Sequence, residues 1–425
     1  MRVAKWVLIG IAGLLVAVAL AVLVITQFVD PARFKGPIER QVAAATGRDF
    51  KLAGDIELSF FPWLALTTGA AELPAPAGFA DPRFLAWRNA HVGVRLLPLL
   101  RGELVVDRVR LAGLDARLVK AADGRENWAF GDANGEDSGD ASGEGTLPDI
   151  AGIELREARV TYIDEAAGTQ FELADARIDI EPIRSGVPMR IEAAATASMA
   201  DLPERIAVEL ESRVTLGPPI VLADTSLSGT LREGRFGAAG VPWRLAAPRV
   251  SYDAASGALA APEWQLRFND AQLDGELAAR LGEPLTAEGR VSLAPVSLRE
   301  TLAAAGVELP PTRDKAAWER FGFDAVFRVS GPAFTVSPLA IRLDDTSLGG
   351  TIERAALEDS LIVFELRADR MDVDRYLKPA GTPSEPFVFP AEALKALRAR
   401  GTLAIDEAAL EGVRLRGVVF EADTP

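Results

Sequence analysis

The stretch Ile206-Ala207-Val208-Glu209-Leu210-Glu211-Ser212-Arg213-Val214-Thr215-Leu216 places Ile206, Val208, Leu210, Val214 and Leu216 on even positions, with Glu209, Glu211 and Arg213 among the odd ones. A period of two is that of a β-strand, whose successive side chains point to opposite faces. One apolar and one charged face is the pattern of an antiparallel sheet wetted on one side. The alternation returns in Leu339, Ile341 and Leu343, and again in Ile362, Phe364 and Leu366. Strands recur at spacings typical of turns rather than of crossover helices, which excludes a doubly wound α/β fold. The fold class is therefore mainly β with short helices.

Working outward, Val105, Val109 and Leu111 give way to Leu114, Ala116 and Leu118 across Gly113. A bulge at the glycine would shift the phase and bend the sheet. The pattern Asp-x-x-Leu-x-Gly-x-Leu/Ile occurs at Asp224, Leu227, Gly229 and Leu231, at Asp270, Leu273, Gly275 and Leu277, and at Asp345, Leu348, Gly350 and Ile352. Asp suits a turn, the flanking Leu and Leu/Ile share a face, and Gly marks close backbone approach. Repeated strand–turn units imply an elongated assembly in which each unit packs on its neighbours. Short helical patches are expected at Ser297–Ala305, Asp314–Phe321 and Ala391–Arg400, where they could cap or cover a sheet edge.

Near the N-terminus the period is helical. Phe34, Ile38 and Val42 recur every four residues after Pro31, and Gly47 is a natural stop. Such a stripe suits either a membrane surface or a packed core. Before it, Trp6 to Ile25 holds neither charge nor polar side chain, and twenty residues at about 1.5 Å each match a bilayer's hydrocarbon core. Arg2 and Lys5 precede this run, so the positive-inside rule puts the N-terminus in the cytoplasm, with Trp6 and Phe28 as interfacial aromatics. A cleaved signal peptide would carry a shorter apolar region and a small-residue cleavage site, whereas Gln27-Phe28-Val29-Asp30-Pro31 follows here. The expected organisation is a cytoplasmic end at 1–5, a transmembrane helix at 6–28, a helix-then-sheet region at 29–130, a linker at 131–149 and a continuing sheet at 150–425. The linker carries Asp132, Glu136, Asp137, Asp140, Glu144 and Asp149, no basic residue and many Gly and Ser. It buries too little apolar surface to offset its ordering entropy.

Composition removes several function classes. The 46 Lys and Arg against 61 Asp and Glu give a net charge of −15, a poor match for a phosphate backbone, so nucleic acid is not an expected partner. The chain has no cysteine and one histidine, His91, which excludes thiolate chemistry and leaves a single residue for histidine acid–base work. There is no P-loop, no Gly-x-Gly-x-x-Gly opening a helix, no His-Glu-x-x-His and no Gly-x-Ser-x-Gly elbow. Asp344 and Asp345 sit at a strand-to-turn junction inside the repeat and read as structural. No catalytic residue, metal or cofactor is expected. What remains is a long apolar face, which suits a hydrophobic ligand channel if it curls on itself and a packed sandwich core if it is covered.

Several strings then resemble the AsmA family: Val29-Asp30-Pro31-Ala32-Arg33-Phe34-Lys35, Ala45-Thr46-Gly47-Arg48, Phe60-Phe61-Pro62-Trp63-Leu64, Arg95-Leu96-Leu97-Pro98-Leu99-Leu100-Arg101-Gly102-Glu103-Leu104, and Gly124-Arg125-Glu126-Asn127-Trp128. Asp344-Asp345-Thr346 through Gly350, and Asp372-Val373-Asp374-Arg375-Tyr376-Leu377, extend the resemblance, which runs to about Val419. It implies an inner-membrane anchor, a periplasmic body and a curved antiparallel β-groove similar to that of bridge-like lipid transfer proteins. It also implies links to outer-membrane biogenesis, phospholipid traffic between the two membranes and outer-membrane protein assembly, and it brings no catalytic residues. Family members usually continue with further strands, so the expectation is either an incomplete sequence at Pro425 or a short member of the family.

The expected function is non-enzymatic phospholipid transport. The partners would be phospholipid acyl chains, the inner membrane and outer-membrane components. Val208, Leu210, Ile341, Leu343, Ile362 and Phe364 would line the groove. Phe60, Phe61 and Trp63 would mark where lipid enters, although core packing accounts for these three equally well. The alternative is a scaffold that regulates outer-membrane protein assembly without carrying lipid.

Overall fold

The computed structural model describes residues 33, 35–59, 63–95, 98, 101, 105–129, 149–184, 186–200, 202, 204–355, 361–379 and 398–423. The apolar run at 6–28, the linker up to 148, and Phe60 and Phe61 lie outside them. No helix among the described residues is long and apolar enough to cross a membrane. The protein is mainly β, an open and mostly antiparallel sheet structure with two short helices. Residues up to 205 and from 206 onward form two compact units.

The first unit begins with α1 (Lys35–Thr46), which ends where Gly47 takes a left-handed φ of 67°. Glycine adopts that conformation without a Cβ clash and so stops the helix. Short strands follow: β1 (Lys51–Leu52), β2 (Ile56–Ser59), β3 (Trp63–Thr68), β4 (Ala71–Pro74), β5 (Arg83–Trp87), β6 (Asn89–Arg95), β7 (Val105–Val106), β8 (Val109–Ala112) and β9 (Asp115–Lys120). Then come β10 (Asp149–Ile150) and the longer β11 (Ile153–Asp164), β12 (Thr169–Ile180) and β13 (Met189–Met199). Phe50, Leu52, Ile56, Ala71, Leu73 and Phe84 form a buried cluster, and Ile38 and Val42 of α1 pack against it. The helical stripe therefore covers a core. The phase change lies at Gly113, whose φ is 66°. On either side of it β8 and β9 run parallel to β11 as two segments of one path. Asp149 belongs to β10, paired with Val105, rather than to the linker.

The second unit is a succession of long strands: β14 (Arg205–Thr215), β15 (Ile220–Arg232), β16 (Val241–Asp253), β17 (Ala258–Phe268), β18 (Ala271–Arg280) and β19 (Thr286–Val296). Helix α2 (Leu298–Ala304) follows, capped by Ser297 Oγ accepting from the Glu300 amide at 3.2 Å. The strands resume with β20 (Phe321–Ser330), β21 (Ala333–Leu343), β22 (Thr346–Arg354), β23 (Ile362–Asp372), β24 (Ala399–Leu410) and β25 (Val413–Asp423). From β15 to β23 each strand pairs antiparallel with the next; β23 and β24 are parallel, and β25 closes a last hairpin.

Register shifts interrupt these ladders between Ala246 and Arg249, Ala261 and Trp264, Leu293 and Val296, and Val336 and Leu339. Each interval contains a proline: Pro248, Pro262, Pro295 and Pro338. Proline has no N–H to give to the ladder, so a mid-strand proline is accommodated where pairing is already broken. These bulges follow prolines rather than the glycines that the sequence pattern emphasises.

Two expectations need correction. Asp314–Phe321 is not a helix: residues 315–318 form a turn, and Phe321 opens β20. The physical reason is Asp344, whose carboxylate accepts from the amides of Trp318, Glu319 and Arg320 at 2.9, 3.0 and 3.1 Å and draws them out of any helical ladder. Of Ala391–Arg400, residues 391–397 lie outside the described residues, and Ala399 and Arg400 begin β24. In the repeat, Asp270 and Asp345 stand in turns as expected. Asp224 lies inside β15 at a φ of 50°.

Candidate functional site

The alternation seen in single strands becomes a surface once register is imposed. Leu227, Leu245, Leu266, Leu273, Leu293 and Phe323 are successive cross-strand partners from β15 to β20. The same row continues through Ile341, Leu348, Ala368, Ile405 and Val418 to β25. A second row joins Trp264, Gly275, Val291, Ala325, Leu339, Gly350, Leu366 and Leu403. A third joins Leu277, Gly289, Phe327, Val336, Ile352, Phe364 and Gly401. Each row is apolar at every step.

In a sandwich core these side chains would be sealed under a second layer. Here most of them, including Trp264, Phe327, Leu339 and Phe364, are only half-buried. Among the described residues of this unit, the large apolar side chains that are buried are Val214, Val241 and Ile405. The packing among the described elements of this unit runs mainly from strand to neighbouring strand. Soluble monomers rarely leave so wide an apolar face uncovered.

The floor of the face is levelled by pairing large rings with glycines. The Trp264 ring lies over Gly275, where a Cβ would overlap it. Phe327 Cζ stands 3.0 Å from where a Gly289 Cβ would be, Phe364 Cγ 2.8 Å from that of Gly401, and Trp243 Nε1 3.1 Å from that of Gly229. Each glycine also brings a neighbouring backbone carbonyl too close for any side chain. The opposite face is charged and largely self-neutralised, with Arg328 and Glu288 at 3.3 Å and Arg367 and Asp406 at 3.0 Å. A depression of about 430 Å³ on that side includes Glu276, Glu288 and Arg328 in its lining, and its arginine is already engaged.

Of the expected lining residues, Ile341, Leu343, Ile362 and Phe364 fall on the apolar face by register. Val208 and Leu210 share the parity of Ser212 on β14, and the Ser212 hydroxyl meets that of Thr225, in the Leu227 series, at 2.9 Å. Trp63 opens β3, in the first unit. The sequence reading did not single out Trp243, Trp264 and Phe327. Their signal was an aromatic residue in phase with the alternation, but the glycine partner is visible only across a ladder.

Four of the strings that carry the family resemblance converge on two clasps. In the first unit Asn127, fully buried, accepts from the Val119 amide at 2.9 Å and donates to the Arg117 carbonyl at 2.8 Å. Arg48 donates to the Asn127 carbonyl at 2.7 Å and stacks 4.6 Å over the Phe84 ring. In the second, Tyr376 donates to Asp344 at 2.8 Å, and Arg375 joins Asp314 at 2.8 Å and Asp345 at 2.7 Å. Asp374 accepts from the Glu411 and Gly412 amides at 2.6 and 2.8 Å, fastening the last hairpin. Burial disfavours charge on Asp344, yet the Trp318 amide, the Tyr376 hydroxyl, the Arg320 amide and the Arg375 guanidinium outweigh it and hold the carboxyl below its ordinary value. Burial and the neighbouring Asp344 push the Tyr376 phenol up. Every group in the two clasps is engaged in holding elements together. His91 is likewise engaged, its Nδ1 2.9 Å from Thr67 Oγ1. No grouping of metal-ligating side chains occurs among the described residues.

Fold and face together define a mainly β protein that presents one open apolar sheet surface and a charged reverse. The chain belongs to the AsmA family, whose sequence pattern matches residues 1–360, and that family has no known catalytic activity. It is similar to Protein AsmA of Escherichia coli (strain K12), at 26% identity over 313 residues that make up 65% of this chain and 48% of that protein. The chain thus spans about half the length of the curated relative it matches. No solved structure matches it.

Proposed function

We propose that this chain is a cell-envelope protein that carries phospholipid between the inner and outer membranes by laying acyl chains on the apolar face of its second unit. The observation that carries this reading is the apolar row from Leu227 to Val418, unbroken over eleven strands and for the most part only half-buried. Half-covered apolar surface forgoes about 25 cal/mol for every Å² left wet, and acyl chains would remove that water. Family membership supports the setting, since the AsmA family is linked to outer-membrane biogenesis. In this reading residues 6–28 anchor the chain in the inner membrane with the body in the periplasm. Phe60, Phe61 and Trp63 mark where lipid enters, and Val208, Leu210, Ile341, Leu343, Ile362 and Phe364 line the path. The mechanism is passive: chains slide over the level floor, head groups stay at the margin, and no bond is made or broken.

A photo-crosslinking residue placed at Phe364 or Leu339 is expected to capture phospholipid in cells, while one at Ser347 on the reverse face captures none. Capture of protein alone at the apolar positions would replace this reading with that of a scaffold for outer-membrane protein assembly.

A further inference from the structure

The inward series of β22, Leu348, Gly350 and Ile352, ends on Arg354. Arg354 stands opposite Phe334 on one side and Ile362 on the other, and the row continues from Phe334 to Val329 and Ala287. The charged residues of the neighbouring ladders, Glu353, Glu365 and Arg328, fall on the reverse face. Arg354 is therefore a cation placed among apolar side chains, against the alternation of its own strand. Its Nε is shielded from solvent and has no hydrogen-bond acceptor. The Nε1 of Trp243 is also unsatisfied on this face, but it is uncharged.

A shielded N–H without an acceptor, on a group that carries full charge, is costly to keep unless an acceptor arrives. The guanidinium is a planar fork suited to two oxygens of one phosphate. Its apolar stem can lie along Phe334 and Ile362 while the head reaches the margin of the face. From Arg354 to Leu348 is about 20 Å of strand, comparable with one extended acyl chain. We propose that Arg354 binds the phosphate of a glycerophospholipid whose acyl chains cross the apolar face toward Leu348. The proposal rests on the lipid-carrying reading above and adds to it a head-group contact and a preference for phosphate-bearing lipids.

The full chain, purified in an amphipathic polymer, is incubated with vesicles of equimolar phosphatidylglycerol and chain-matched diacylglycerol, then re-isolated for lipid mass spectrometry. The wild type is expected to retain phosphatidylglycerol about ten-fold over diacylglycerol. Arg354→Gln lowers that ratio toward unity with total acyl lipid per chain unchanged, which also shows that the variant is folded. Arg354→Lys keeps the charge without the fork and retains part of the preference. An undiminished ratio in both variants overturns the assignment while leaving lipid carriage intact. A wild type that retains no lipid overturns the lipid-carrying reading and this inference with it. Inorganic phosphate that binds through Arg354, with no preference between the two lipids, would make this a free-anion site and overturn the head-group assignment.

Discussion

Asp344 shows how one side chain organises a region that its sequence neighbours do not reveal. It takes a left-handed φ of 51° at the turn between β21 and β22, which Asp and Asn tolerate better than other non-glycine residues. From there it gathers three amides and a phenol. Its folded pKa is depressed, so its stabilising contribution is present above the ordinary aspartate value near 3.9 and is lost as pH falls through the lower, folded value. Asp344→Asn keeps the tolerance for that φ and removes the charge. The variant is expected to lower the unfolding free energy by about 1–3 kcal/mol at neutral pH, with the gap to wild type narrowing below about pH 4. Denaturant titrations at neutral and acid pH measure both quantities, and a gap independent of pH would show that the charge is not what the site uses. The pair Asp344-Asp345 was legible in the sequence as a strand-to-turn junction. Its partner Tyr376 was not, because the two are joined only when the 3-10 turn Val373–Tyr376 returns to that junction.

At the scale of the element, strand β18 illustrates why the repeat carries a glycine. The Leu273, Gly275 and Leu277 side of β18 faces Leu266, Trp264 and Ala261 of β17, and the indole occupies the space a Cβ would need. Gly275→Ala is expected to cost about 1–3 kcal/mol through overpacking, and the displaced indole would shift the tryptophan fluorescence. The same substitution at Gly412, a turn glycine at φ 81° with nothing within 4 Å of its would-be Cβ, costs only what its left-handed backbone imposes. If Gly275→Ala proves the milder of the two, the ring is not held by the glycine. Mid-strand prolines are the second lesson at this scale. Pro248, Pro262, Pro295 and Pro338 were present in the sequence as strand breakers, but which neighbour accommodates each bulge depends on register.

At the scale of the molecule, function turns on the difference between the two faces of one unit. Glutamate introduced at Leu339 and Ile352 would place charge in the middle of the apolar rows, whereas glutamate at Ser347 and Thr351 falls on the reverse face. The inward pair is expected to abolish phospholipid crosslinking and complementation in cells while the chain still accumulates in the envelope. The outward pair is expected to leave both readouts near wild type, since it adds no charge to the apolar rows. Equal behaviour of the two pairs would remove the apolar face from the mechanism and favour a scaffold. In the first unit α1 lies on the apolar cluster around Phe50 and Leu52.

By itself the sequence determined that the fold is mainly β and which side of each alternating strand is apolar, but not that 315–318 would form a turn in place of a helix. A period of two forces side chains to alternate, and this holds strand by strand in Ile206 to Leu216, Leu339 to Leu343 and Ile362 to Leu366. It also determined the absence of thiol chemistry and, through several strings in order, the family. It could not decide whether the apolar sides are covered, since a sandwich core and an open face share one periodicity. Nor could it pair Arg48 with Asn127, Trp264 with Gly275 or Asp344 with Tyr376. Those contacts depend on register and on chain return, which are set by the packing of strands that lie far apart in sequence. The tertiary structure alone brought the alternating strands into unbroken apolar rows, left those rows open, and set Arg354 at their margin.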